Sequence, residues 1–187
     1  MKRTLQLLFI TALLMAVIPS CKSHKRSAKR KAKTEQTSPR HATSETSQDK
    51  AIQAKYAAMM NVNEKDITNL NLYRFVDQWE GTPYKYGGTT PNGVDCSGFV
   101  CALYSDVYHK PIPRTTSEIE GSTKNISRSG LKEGDIVIFD INGKKNAHVG
   151  VYLLNGHFVH ASSSKGVIVS ELSNPYYNKA FNRGGRF

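Results

Sequence analysis

The sequence predicts an α+β fold, with helices in the first half of the folded region and an antiparallel sheet in the second. Three observations carry that expectation. Apolar residues recur at helical spacing in residues 51–80 and again after Cys96, whereas the last third of the chain holds short runs of β-branched and aromatic residues. Two of those runs are followed by Asn-Gly, the favoured two-residue hairpin turn. Helices first and neighbouring hairpins afterwards place the two kinds of element in separate parts of the chain, which is the α+β arrangement.

The chain opens with a segment that does not belong to that domain. Lys2 and Arg3 precede an apolar run from Leu5 to Ile18, too short and too near the terminus for an ordinary membrane span. The run ends in Ile18-Pro19-Ser20-Cys21, an aliphatic residue three places before a cysteine with a small residue just before it. This resembles a bacterial lipoprotein signal, although Pro19 departs from the commonest pattern. The resemblance implies a signal peptide over residues 1–20, cleavage before Cys21, a lipid on Cys21 and membrane attachment through that lipid. Lys22 stands where an inner-membrane retention signal usually has Asp, so the resemblance favours the outer membrane, facing the periplasm.

Residues 21–50 are polar and basic, with Ala42 the one apolar residue after Ala32. Such a stretch cannot bury enough surface to fold and reads as a disordered tether. Its basic cluster, Lys22 to Lys33, either lies against anionic lipid or wall polymer or is a solvated spacer. The whole-chain charge of +11 suggests a nucleic-acid binder until its distribution is examined. Residues 1–50 hold 11 Lys or Arg against 3 acidic groups, and residues 51–187 hold 15 against 12. The folded part is only mildly basic, and nucleic acid is not an expected partner.

From residue 51 to residue 187 the composition fits one domain. Ala51 to Met60 and Asn71 to Glu80 read as helices, the second with Leu72, Phe75, Val76 and Trp79 on one stripe. Gly81-Thr82-Pro83 ends it, and a loop containing Pro91-Asn92-Gly93 leads to Cys96. Small residues and then Phe99, Val100, Leu103, Tyr104 and Val107 place Cys96 in the first turn of a core helix, where free N–H groups and the helix dipole favour a thiolate. Pro111 and Pro113 force an extended stretch, and Thr115 with Glu118 forms a capping-box pattern for a short helix. Strands follow at Asp135 to Asp140, Ala147 to Leu154, His157 to Ala161 and Gly166 to Ser170. Pro175 and the tyrosines after it read as a terminal helix or a loop packed on the sheet.

His148 and His160 fall on the two strands flanking Asn155-Gly156. A plain two-residue hairpin pairs residues whose numbers sum to about 311, which sets His148 near residue 163 and His160 near residue 151. The two are then neighbours within about 12 Å, by strand geometry. His157 alternates away from His160, and His109 falls at a helix end, so neither joins a site. Cys96 and Cys101 lie about 140° apart on one helix and are not expected to pair.

Asp95-Cys96-Ser97-Gly98-Phe99, His148-Val149-Gly150-Val151-Tyr152 and Phe158-Val159-His160-Ala161-Ser162 together resemble the NlpC-type cell-wall cysteine peptidases, a branch of the papain-like fold. Gly81-Thr82-Pro83-Tyr84, Ile112-Pro113-Arg114-Thr115 and Leu131-Lys132-Glu133-Gly134-Asp135 match between them, and the spacings of 52 and 12 residues from Cys96 to His148 to His160 fit a minimal domain of the family. The resemblance implies Cys96 as nucleophile, His148 as its base and His160 as the polar residue orienting His148. It also places Tyr84, Asp95 and Ser97 beside the nucleophile, either holding substrate and shaping the oxyanion region or capping the helix. Arg114 matches a family arginine without an assigned role. The partners implied are peptidoglycan stem peptides, with no cofactor and no metal, and a monomer is the expected state. The small lipoprotein members favour the D,D cross-link as the bond cleaved, with the γ-D-glutamyl to diamino-acid bond as alternative. Amidase or acyltransferase chemistry, a non-catalytic wall-binding lipoprotein, and a zinc site on Cys96, His148 and His160 are the remaining alternatives.

Overall fold

A computed structural model describes residues 39–187. The expected signal peptide, Cys21 and the tether up to residue 38 lie outside the described residues. Helix α1, Pro39–Met60, begins well before the expected Ala51, so residues 39–50 are helical rather than disordered. The reason is cooperativity. Ile52, Tyr56, Ala57 and Met60 are buried and dock the C-terminal half, after which each further turn adds backbone hydrogen bonds without a new nucleus. Asp49 fastens that extension by accepting from the Arg74 guanidinium at 2.6 Å.

Helix α2, Leu70–Trp79, buries Leu72, Phe75, Val76 and Trp79 as their spacing predicts, and the Asn69 side chain caps its start by accepting from the Leu72 N–H. The segment expected to be a loop before Cys96 contains a small hairpin of β1, Thr89–Thr90, and β2, Gly93–Val94. It delivers the chain into α3, Cys96–Tyr108, whose first residue is Cys96. The expected capping box opens α4, Thr116–Ser122, with Thr115 and Glu118 bonded reciprocally.

Six strands form the main sheet: β3, Lys124–Ile126; β4, Ile136–Ile141; β5, Lys144–Tyr152; β6, His157–Ser162; β7, Gly166–Glu171; and β8, Phe181–Arg186. Their order is β3-β8-β4-β5-β6-β7, antiparallel throughout. Helix α5, Pro175–Ala180, precedes β8. The sheet has two apolar faces. Ile136, Ile138, Val149, Val151, Val159 and Ala161 pack into one cluster with α1, α2 and α3, and Val137, Phe139 and Phe158 pack on the other side with Leu172 and Tyr177. This is strict strand alternation with both faces covered.

The turn between β5 and β6 decides where the histidines go. His157 N–H donates to Leu154 carbonyl, and Asn155 and Gly156 both take positive φ, the expected turn. Yet Leu153 N–H also donates to His157 carbonyl, so Leu153 and Leu154 both face one residue across the hairpin. That extra residue is a bulge, and beyond it the pairs are Val151 with Val159 and Tyr152 with Phe158. The register is therefore one residue off the plain hairpin. Because side chains alternate, a shift of one changes the face of every residue relative to its partner strand. His160 comes opposite Gly150, not Val151, and shares the face of His148.

Candidate active site

Cys96 occupies the first position of α3 and is 8% exposed. Asp95 caps that helix, with Oδ1 accepting from Gly98 N–H at 2.7 Å and Oδ2 from Gly87 N–H at 2.9 Å. The Arg114 guanidinium grips the same carboxylate with two nitrogens, at 3.0 Å and 2.8 Å, and donates to Ser97 Oγ at 2.8 Å and to Gly88 carbonyl. Ser97 Oγ in turn donates to Asp95 Oδ1 at 3.4 Å. The role that sequence left open for Arg114 is thus to lock the loop ahead of Cys96 onto the helix start. Burial alone would raise the Asp95 carboxyl, but Arg114 and the Gly98 and Gly87 N–H groups hold it below the usual range.

The polar atoms of Asp95 and Ser97 bond within the protein, Asp95 as the cap of α3. Tyr84 differs. It is partly exposed and lines a cleft of about 560 Å³ together with His148 and His160. Burial, followed by the neighbouring Cys96 and Asp95 charges, pushes its hydroxyl upward.

His148 and His160 touch directly. His148 Nε2 lies 2.8 Å from His160 Nδ1, with the rings nearly perpendicular at 88°. Gly150 makes this possible, since a Cβ there would stand 3.1 Å from His160 Cβ and 2.7 Å from Val159 carbonyl oxygen. His160 is 1% exposed, stacked on Phe158, with Nε2 at 3.1 Å from Ser170 Oγ and 3.2 Å from Tyr177 Oη. Cys96 approaches the same strand from the α3 side. Thr116 and the backbone N–H groups of Ser97 and Val149, the residue after His148, lie near its sulfur and favour its charged form.

The expected lowering of the thiol is not what this setting produces. Burial, and then the Asp95 charge, push Cys96 up, against the smaller opposing pull of Thr116 and the two N–H groups. Burial also pushes His148 down to about 4, and burial together with His148 pushes His160 well below its ordinary value. Burial thus favours the uncharged thiol and the uncharged rings. The ring contact bears on zinc as well. Two imidazole nitrogens 2.8 Å apart are bonded to each other, closer than two ligands sharing one tetrahedral ion at about 2.0–2.1 Å each can come. No group of three or more His, Cys, Asp or Glu among the described residues is placed to hold a metal.

Arg114, Thr116, Ser170 and Tyr177 complete this site and were not assigned roles from sequence. Asn174 followed by Pro175 is the signal that could have found Tyr177, because Asn174 caps α5 and Pro175 begins it.

A cysteine at the start of a core helix, set against an antiparallel sheet that carries a histidine pair, defines the papain-like class of cysteine-peptidase domains. Within that class the chain belongs to the NlpC/P60 family, whose model matches residues 81–186. It is 37% identical over 177 residues to the murein DD-endopeptidase MepS/murein LD-carboxypeptidase of Escherichia coli K12, covering 95% of this chain and 90% of that protein. It is 43% identical over 108 residues to the peptidoglycan DL-endopeptidase CwlO of Bacillus licheniformis, covering 54% of this chain and 24% of the other. Among solved structures it is similar to an NlpC/P60 family protein of Bacillus cereus, with a TM-score of 0.58 and 25% identity over 63% of this chain and 39% of that one.

Proposed function

We propose that this protein is a peptidoglycan endopeptidase that hydrolyses a stem-peptide bond with Cys96, His148 and His160. The observation that carries the reading is the His148–His160 contact at 2.8 Å, on the strand against which Cys96 packs. His148 Nε2 is occupied by His160, which leaves Nδ1 to receive the thiol proton. Cys96 Sγ then attacks the substrate carbonyl, and the N–H groups at the start of α3 with the Tyr84 hydroxyl stabilise the oxyanion. His148 returns its proton to the leaving amine and next activates the water that hydrolyses the thioester. Because thiol and imidazole begin neutral, the ion pair forms with the attack.

The D,D cross-link between stems is the preferred bond, supported by likeness to MepS over nearly the whole chain. The γ-D-glutamyl to diamino-acid bond is the second reading, supported by the likeness to CwlO. The enzyme works in the bacterial envelope as a lipoprotein attached through Cys21, in the outer membrane facing the periplasm, with residues 21–38 as tether. No helix among the described residues is long and apolar enough to cross a membrane. Digestion of purified cross-linked muropeptides, read by mass, tests the bond. Dimers converted to intact tetrapeptide monomers support the first reading and truncated stems the second. Dimers left whole alongside released terminal D-amino acids would contradict both.

A further inference from the structure

The catalytic reading fixes the state His148 must occupy before it acts. To accept the thiol proton at Nδ1 it must carry its resting proton on Nε2, which donates to His160 Nδ1 across 2.8 Å. His160 must then carry its own proton on Nε2. A reversed chain is also hydrogen-bonded: a hydroxyl donates to His160 Nε2, His160 Nδ1–H donates to His148 Nε2, and His148 holds a proton on Nδ1, where it cannot accept another. The two rings alone do not choose between these directions.

We infer that Ser170 and Tyr177 are positioning residues that together set the direction of this chain, accepting from His160 Nε2–H and so keeping His148 in the tautomer that takes the Cys96 proton. This rests on His148 being the base. Both oxygens lie within hydrogen-bond reach of the same nitrogen, at 3.1 Å and 3.2 Å, from two different elements, β7 and α5. Their own protons have other outlets. The Ser170 hydroxyl can donate to the Tyr177 oxygen, and Tyr177 lines the open cleft, where solvent accepts from it. His160 borders the same cleft but is 1% exposed, and its Nε2 is covered by these two hydroxyls. Without the two oxygens its Nε2–H would be a buried donor with nothing to bond, and the proton would move to Nδ1, where His148 Nε2 accepts it.

Ring nitrogen-15 NMR of the folded protein, with steady-state kinetics, tests this on Ser170→Ala, Tyr177→Phe and the double variant. Each single variant keeps one acceptor and is expected to change kcat less than about threefold, while the double variant loses about tenfold or more in kcat at unchanged KM. In the double variant the His148 proton moves from Nε2 to Nδ1, and Ser170→Thr in the Tyr177→Phe background restores it. Single effects that merely multiply, or a double variant whose His148 stays protonated on Nε2, would overturn the inference. So would a wild-type His160 protonated on Nδ1, a measurement that needs no variant. Turnover that survives His148→Ala would instead overturn the catalytic reading beneath it.

Discussion

Asp95 and Arg114 show how much of this site is spent on holding Cys96 still. One carboxylate caps α3, ties down Gly87 and pairs with a guanidinium that also reaches Ser97 and Gly88. Asp95→Ala removes the cap and strands Arg114, and is expected to cost on the order of 2 kcal/mol in denaturant unfolding. Its folded pKa is lowered, so the stability it gives is present above the ordinary carboxylate range and is lost as pH falls through the folded value, below about pH 4. The histidines act at higher pH. Unfolded, they take up protons below about 6.5, whereas folded His148 stays neutral down to about 4. Stability should therefore fall as pH drops from about 6.5 towards 4, by up to about 1.4 kcal/mol per pH unit for each ring. Unfolding measured across that range checks it; a flat profile between pH 6.5 and 4 contradicts the neutral pair.

At the scale of elements, the hairpin of β5 and β6 matters most. Alternation within each strand was legible in the sequence, and so was the Asn155-Gly156 turn. The bulge at Leu153 and Leu154 was not, because no local residue preference distinguishes it from a regular strand end. Taken literally, a register summing to 311 sets His160 opposite Val151, on the face away from His148; the bulge is what unites them. Gly150 is part of the same device. Gly150→Ala is expected to destabilise by about 1–3 kcal/mol and to lower kcat more than it changes KM, because the new methyl pushes on His160. Thermal unfolding and steady-state kinetics on one preparation separate the two effects. Strand β8 escaped the sequence reading for a different reason. Its centre is Gly184-Gly185, poor strand formers in isolation, which pair with Val137 and Ile136 where side chains would collide with Leu131 and Thr123. The N-terminal half of helix α1 is not legible in the sequence because residues 39–50 carry no apolar stripe, and the Asp49–Arg74 pair that ties it down is a tertiary contact.

Over the whole molecule, charge is arranged around the cleft. Lys144 and Lys165 line it from two neighbouring hairpins, β4–β5 and β6–β7, and no Asp or Glu is among its lining residues. The nearby acids are engaged elsewhere, Asp95 with Arg114 and Glu171 beside His157. A peptide with free carboxylates near the scissile bond suits that field. Replacing both lysines with alanine is expected to raise KM about fivefold for such muropeptides and to leave KM for their amidated counterparts nearly unchanged. Equal effects on both substrates would show that the lysines do not read the carboxylates. The papain-like class was legible as a resemblance carried by the motifs around Cys96, His148 and His160, the residues proposed to react. Their supports, Arg114, Thr116, Ser170 and Tyr177, come from separate parts of the chain and meet only through the fold.

That Cys96 is the attacking group can be tested in one comparison. Wild-type protein and Cys96→Ala, matched for unfolding transition, are incubated with the same cross-linked muropeptides and the products are followed by mass. The wild type should convert dimers to monomers, and the variant should be slower by at least about 10³-fold. The same products at the same rate from both proteins would contradict the assignment of Cys96 as nucleophile.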